Sequence, residues 1–255
     1  INTDGIDGGS VVLTAGDDVI LADGSLTTAN GGTSNAGANG GEVIAYASEL
    51  YEDNATVYFQ DGAKIEVKGG SPSDPTTVDT EAATFEGGLV EISGDHLFFD
   101  GAVDATAIPF DVPDPEDPGE FITIKPEGGT LHIDPVTLTL ADGGIPEDGA
   151  AIDTFYEQEL EAYSQAGVNT ILEADYVLTV ENITDGFIEG GSGDITLRTV
   201  YNNGRIEFLP ETEGDPITTT VHTTGGGDIF MLAGGDADGK GIVTGDLTTE
   251  ENNGG

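Results

Sequence analysis

The chain has 255 residues, 49 of them Asp or Glu against 6 Lys or Arg, giving a formal net charge of −43. This excludes nucleic acid as a partner, because phosphate backbones need a basic footprint, and it sets the chain against anionic membrane surfaces. Cysteine is absent, so disulfides and thiolate metal sites are excluded, and no apolar run reaches transmembrane length.

Such acidity often signals disorder, yet 36% of the residues are hydrophobic and they fall in short alternating runs. From the N-terminus, residues 10–15, 18–22, 42–46, 56–59, 64–67, 89–92 and 96–99 alternate with a period of two and are predicted as strands. The pattern resumes at 121–124, 130–133 and 136–140, then at 176–180, 194–197, 205–208 and 228–232. Asp-Gly, Asn-Gly or Gly-Gly separates most of these runs. Glycine pairs mark a larger beat, in or near the ~20–50 residue range of repeat architectures. The two ends are variants of one phrase, GGSVVLTAGDDVILADGSLTTANGG at 8–32 and GGDIFMLAGGDADGKGIVTGDLTTEENNGG at 226–255. An antiparallel sandwich would also show many short strands; the doubled glycines and the related ends favour a solenoid.

Three segments interrupt the rhythm. TSNAGAN at 33–39 is a small polar insertion. IPFDVPDPEDPGE at 108–120 holds four prolines among acids, which bars it from a central strand and predicts a protruding loop or a hinge. The segment 150–166 is predicted as the one helix: Ile152, Phe155, Tyr156, Leu160 and Tyr163 fall on one face, Asp153 in the first turn, and Gly167 follows as a stop. The expected fold is an all-β right-handed parallel β-helix (β-solenoid) with one short α-helix. Coils at 1–107 and 121–255 flank the loop at 108–120. At about 4.8 Å per coil, ten or eleven coils would make a rod of roughly 50 Å.

Several phrases come in an ordered succession: GGLVEISG (87–94), LFFDGAVDAT (97–106), GTLHIDP (129–135) leading into VTLTL (136–140), the helix, then GVNTILEA (167–174) and the strand-rich 176–209. This succession resembles the repeat region of filamentous haemagglutinin-like exoproteins, the β-helix adhesins exported by two-partner secretion. The likeness spans roughly 8–249. It implies a stalk or fibre segment, extracellular or on the cell surface of a diderm bacterium. The family's N-terminal Asn-Pro-Asn-Gly-Ile motif has no counterpart, Ile1-Asn-Thr-Asp-Gly-Ile6 standing in its place. A secretion signal is expected to lie upstream or to have been removed.

Chemistry is harder to find. The acidic pairs Asp17-Asp18, Glu52-Asp53 and Glu250-Glu251 read as solvated turns. The nearest approach to a metal motif is GGDADGKG at 234–241, whose Asp236 and Asp238 are the metal candidates. It is similar to the glycine-aspartate calcium nonapeptide, with Ala237 where that motif has glycine. Ca2+ is thus the one cofactor considered, and none is required. His96, His132 and His222 lie far apart and read as isolated strand or surface residues. No catalytic residue is assigned.

The function expected is structural and non-enzymatic: a segment of an extracellular fibre or adhesin that continues end to end through uncapped β-solenoid termini. Its partners would be further copies of itself or a continuing chain, divalent cations drawn to the charge, and glycans or cell surfaces. A polysaccharide-active β-helix lyase or hydrolase is the alternative, needing acids and a base on one face, whereas Lys64, Lys68, Lys125, Arg198, Arg205 and Lys240 are scattered in sequence. A glycan-binding adhesin using Tyr46, Tyr51 and Tyr58 is the other.

Overall fold

Period-two alternation becomes parallel pairing in register. In a computed structural model of the chain, the described residues are 1–34, 38–48, 54–78, 85–114, 117, 119–234, 241–244 and 247–249. They are mostly strand, in predominantly parallel sheets, with one α-helix among them. The longest sheet takes one strand from each successive pass of the chain. In order these are β1 (Ser10–Ala15), β2 (Glu42–Ala47), β3 (Leu89–Gly94), β4 (Thr130–Pro135), β5 (Asn169–Ala174), β6 (Ile195–Thr199) and β7 (Ile229–Leu232).

The register aligns like with like. Val11, Val43, Val90, Leu131, Thr170, Ile195 and Ile229 form one inward row, and Leu13, Ala45, Ile92, Ile133, Leu172, Leu197 and Met231 the next. Val43, Ala45, Val90, Ile92, Leu131, Ile133 and Leu172 are all fully buried. Alternate residues therefore face outward, which fixes where any surface chemistry on this sheet must lie.

Two further faces are visited after each strand of the long sheet. The second holds a three-stranded sheet (Val19–Leu21, Thr56–Phe59, His96–Phe99). It is followed by a five-stranded one ordered Thr154–Tyr156, Thr137–Ala141, Val177–Val180, Arg205–Phe208, Ile242–Val243. The third holds Leu26–Thr28, Lys64–Glu66 and Ala102–Asp104, and separately Phe187–Gly190, Thr220–Thr223 and Leu247–Thr249. Between these last two groups sits the helix α1 (Glu157–Gln165), packed on Phe187–Gly190. Its Tyr163 hydroxyl accepts the Val103 N–H at 3.2 Å. The helix thus fills one layer of the third face in place of a strand.

Side chains also tie layer to layer. Asn30 Oδ1 accepts the Lys68 N–H at 2.8 Å, Asn169 Oδ1 the Asp194 N–H at 2.9 Å, and Asp194 Oδ1 the Asp228 N–H at 2.7 Å. On the third face Lys68 bridges Glu66 (3.3 Å) and Asp104 (3.5 Å).

Two expectations change. The helix starts at Glu157, not near 150, because Asp153 takes a left-handed φ of 52° and the chain then runs as a strand. The Asp153 N–H donates to Leu97 O (2.7 Å), its carbonyl accepts from Thr139 N (2.8 Å), and its carboxylate accepts the Leu97 N–H (2.8 Å). Bonds to two layers at once outweigh the helical spacing, and Ile152 is left exposed while Phe155 and Tyr156 are buried as strand residues. The Pro-rich segment is kept out of the parallel sheets, as its prolines require. Part of it nevertheless forms a strand: Phe110–Pro113 pairs antiparallel with Phe121–Ile124. This hairpin buries Phe110 edge-on against Phe85, centroids 5.0 Å apart.

Glu157 opens α1 in a buried position, its Oε2 accepting the Gly143 N–H at 2.9 Å. Burial, aided by Glu161 and Asp185, pushes its carboxyl up to about 7. A folded-state value above the unfolded one means that the proton favours folding. This contribution is full below the ordinary value of 4.5 and is lost as pH rises through about 7. Glu157→Gln keeps an acceptor for Gly143 and carries no charge. It is expected to stabilise the protein at pH 8 by on the order of 2 kcal/mol and to have little effect at pH 4. Urea denaturation of both proteins at the two pH values checks this; an equal gain at both would contradict it.

Candidate functional site

Because Leu131 and Ile133 point inward, His132 and Asp134 of β4 share its outer face. Register then supplies their neighbours. On the β3 side Glu91 lies opposite His132, and Ser93 opposite Asp134. On the β5 side Ile171 lies opposite His132, and Glu173 stands one residue beyond the Ile133–Leu172 pair, level with Asp134. Arg198 of β6 is opposite Glu173. Three adjacent strands thereby bring together an imidazole, two carboxylates and a guanidinium.

One donor atom from each of His132, Asp134 and Glu173 lies within 4.8 Å of the others. His132 Nε2 is 3.8 Å from Glu173 Oε2, and that same oxygen accepts a hydrogen bond from Arg198 Nε. Ser93 Oγ donates to Asp134 Oδ2 at 3.3 Å. The side chains of His132 and Glu173 are 14% and 10% exposed, whereas Arg198 is 36% exposed. His132 Nε2 itself is shut off from solvent and has no hydrogen-bond partner. Burial pushes the His132 imidazole below its ordinary value, against the pull of Asp134 and Glu91 and with a push from Arg198. Burial also pushes the Asp134 carboxyl up, with Asp175 adding to it and His132 opposing. Both groups are thus biased toward their neutral forms, as expected where charge is poorly solvated.

Beside Asp134 lies a cavity of about 260 Å3 lined by Tyr46, Ser93, Asp95, Asp134, Asp175 and Tyr201, among others. Tyr176 stacks on Tyr201 with centroids 4.7 Å apart, which steadies one wall. Chemically, this face offers nitrogen and carboxylate ligands to a cation, and polar and aromatic contacts to a small polar ligand.

Of the residues singled out in the sequence, Asp236 and Asp238 lie outside the described residues, as do Lys240, Tyr51, Glu52-Asp53 and Glu250-Glu251. Asp18 ties two layers, its Oδ1 accepting the Thr56 N–H at 3.1 Å. Tyr46 borders the cavity, while Tyr58 is half-buried with its ring 6.2 Å from that of Phe98. The histidines are not isolated. His96 Nδ1 is 2.7 Å from Asp153 Oδ2, His132 faces Glu173, and His222 Nε2 is 3.7 Å from Glu189 Oε1. Arg198, read as one of several scattered cations, joins the His132 cluster. Glu173 was missed altogether. The available signal was the shared outward phase of HID at 132–134 and EA at 173–174, legible only once the two strands are aligned.

Comparison of the chain with protein-family models, curated proteins and solved structures finds no match.

Proposed function

We propose that the chain is a non-catalytic structural segment of an extracellular fibre or cell-surface adhesin, built as a parallel β-helix. The observation that carries this reading is the in-register seven-strand sheet, with two further faces visited in the same order after each of its strands. A right-handed sense follows the strong preference of parallel crossovers for that hand. The phrases resembling filamentous haemagglutinin repeats support it too: GGLVEISG and GTLHIDP fold as adjacent strands with Leu89 opposite Thr130. Export from a diderm cell rests on that resemblance alone.

The related end phrases deepen the reading. GGSVVLTA contains β1 and GGDIFML contains β7, the two edge strands of one sheet among the described residues. Edge strands offer unpaired backbone groups. The match between the two edges suits a module that continues in the same register, whether within a longer polypeptide or by stacking of separate copies. Divalent cations would assist by screening the charge of −43.

Two copies joined head to tail test this. The fused protein is expected to appear by electron microscopy as one rod about twice as long as the single copy, and to melt at a higher temperature. This follows because stacked repeats gain stability from each added interface. Two separate bodies with unchanged melting would sink the idea. The polysaccharide-active alternative would draw on the His132–Arg198 face; turnover of an acidic or neutral glycan, lost in Asp134→Asn, would replace the structural reading.

A further inference from the structure

We infer that His132, Asp134 and Glu173 form a binding site for a zinc-class divalent transition-metal ion that staples β4 to β5. The inference is independent of the structural reading above and needs only the packing of these two strands.

Three observations carry it. First, the donor set mixes one imidazole nitrogen with two carboxylates, which suits zinc and its first-row neighbours better than calcium, whose shell is built of oxygen. Second, the donors are nearly preassembled. Atoms no more than 4.8 Å apart share a centre within about 2.8 Å of each, so reaching metal–ligand distances of ~2.0–2.2 Å takes under about 1 Å of movement per side chain. Third, His132 Nε2 is enclosed without a hydrogen-bond partner and stands 3.8 Å from Glu173 Oε2. A buried polar atom without a partner is costly, and a shared cation would satisfy both atoms at once. Ser93, bonded to Asp134 at 3.3 Å, would orient that ligand from the neighbouring strand.

Arg198 gives the site its character. It bonds Glu173 through Nε and would compete with a metal for the same oxygen. Its side chain is partly exposed and can swing to solvent when an ion enters. Arginine and metal are therefore alternative counter-ions for one carboxylate, and the substitution of Arg198 reports on the site as directly as that of a ligand.

The test is a Co2+ titration of the full chain, read by visible absorption and followed by displacement with Zn2+. One equivalent of Co2+ is expected to bind and be displaced by Zn2+. His132→Ala and Asp134→Asn are each expected to weaken binding more than about ten-fold, and Arg198→Gln to tighten it several-fold. Zn2+ should raise the melting temperature of the wild type and not of His132→Ala. Ca2+, by contrast, should act on both alike through screening. Circular dichroism of each variant guards against misfolding, and the opposite signs expected for Arg198→Gln and His132→Ala cannot both arise from it. Absence of Co2+ binding, binding unchanged in His132→Ala, or a Co2+ response that merely parallels Ca2+ would each overturn the proposal.

Discussion

Gly88→Ala is expected to cost about 4 kcal/mol or more, or to prevent folding, whereas Gly16→Ala should stay within about 0.5 kcal/mol of the wild type. A methyl group at Gly88 would lie 2.0 Å from the Gly41 carbonyl oxygen and 2.8 Å from the Gly40 carbonyl carbon. These are backbone atoms of the adjacent layer and cannot rotate away. Nor can the layer itself shift: the Gly41 carbonyl accepts the Leu89 N–H at 2.9 Å, and the Gly88 N–H donates to Val67 O at 2.6 Å. The same overlap recurs along the corner, with a methyl at Gly41 meeting Gly9 O at 2.0 Å and one at Gly129 meeting Gly88 O at 1.9 Å. At Gly16 the nearest atom, Ser48 O, is 4.0 Å away. Urea denaturation of the two variants makes the comparison, and near-equal stabilities would refute a steric origin for the glycine pairs.

That corner explains why the doubled glycines were the most legible feature of the sequence. They mark places where one pass of the chain lies directly against the next, so glycine is dictated locally and recurs as a pair before each of β1 to β4, while Gly167-Val168 precedes β5. The inward rows were legible for a similar reason, since alternation within six residues is enough to set which side of β2 or β4 is buried. Interval counting misled where excursions intervene. The glycine beat suggests ten or eleven coils, but the long sheet has seven strands among the described residues, because its passes run longer than the glycine spacing, from Glu42 to Leu89 and, with the hairpin at 110–124 and the segment 142–165, from Leu89 to Asn169. Short Thr-rich strands such as Leu26–Thr28 and Thr220–Thr223 carry too little apolar signal to stand out alone and are held by pairing with neighbours. The candidate site was hidden more deeply. His96 meets Asp153 across 57 residues of sequence, and the His132 cluster needs β4 and β5 in register, with β6 adding Arg198. No local pattern marks such a meeting.

Phe99→Ala should remove about 4 kcal/mol and divide unfolding into two steps. Phe99 is 1% exposed and stands edge-on to Phe59 at 5.2 Å and tilted against Phe155 at 5.1 Å. Truncating a buried phenylalanine costs about 3–5 kcal/mol, and two aromatic contacts keep this one from the low end of that range. Its position matters more than its size. On the second face, the three-stranded sheet ends at His96–Phe99 and the five-stranded sheet begins at Thr154–Tyr156, with Asp153 making the backbone bonds between them. On the third face α1 occupies the equivalent gap. The long sheet alone is continuous there, through the pairing of β3 with β4. In a stack whose stability is a sum of neighbouring interfaces, a weakened interface is where cooperativity breaks. Hydrogen exchange of Phe99→Ala should therefore show residues 10–104 and 130–232 protected to different degrees, while the wild type opens as one unit. A variant that loses less than about 1 kcal/mol, or that still opens as a single unit, would show that the long sheet by itself couples the two halves. The aromatic column would then be packing without consequence for cooperativity.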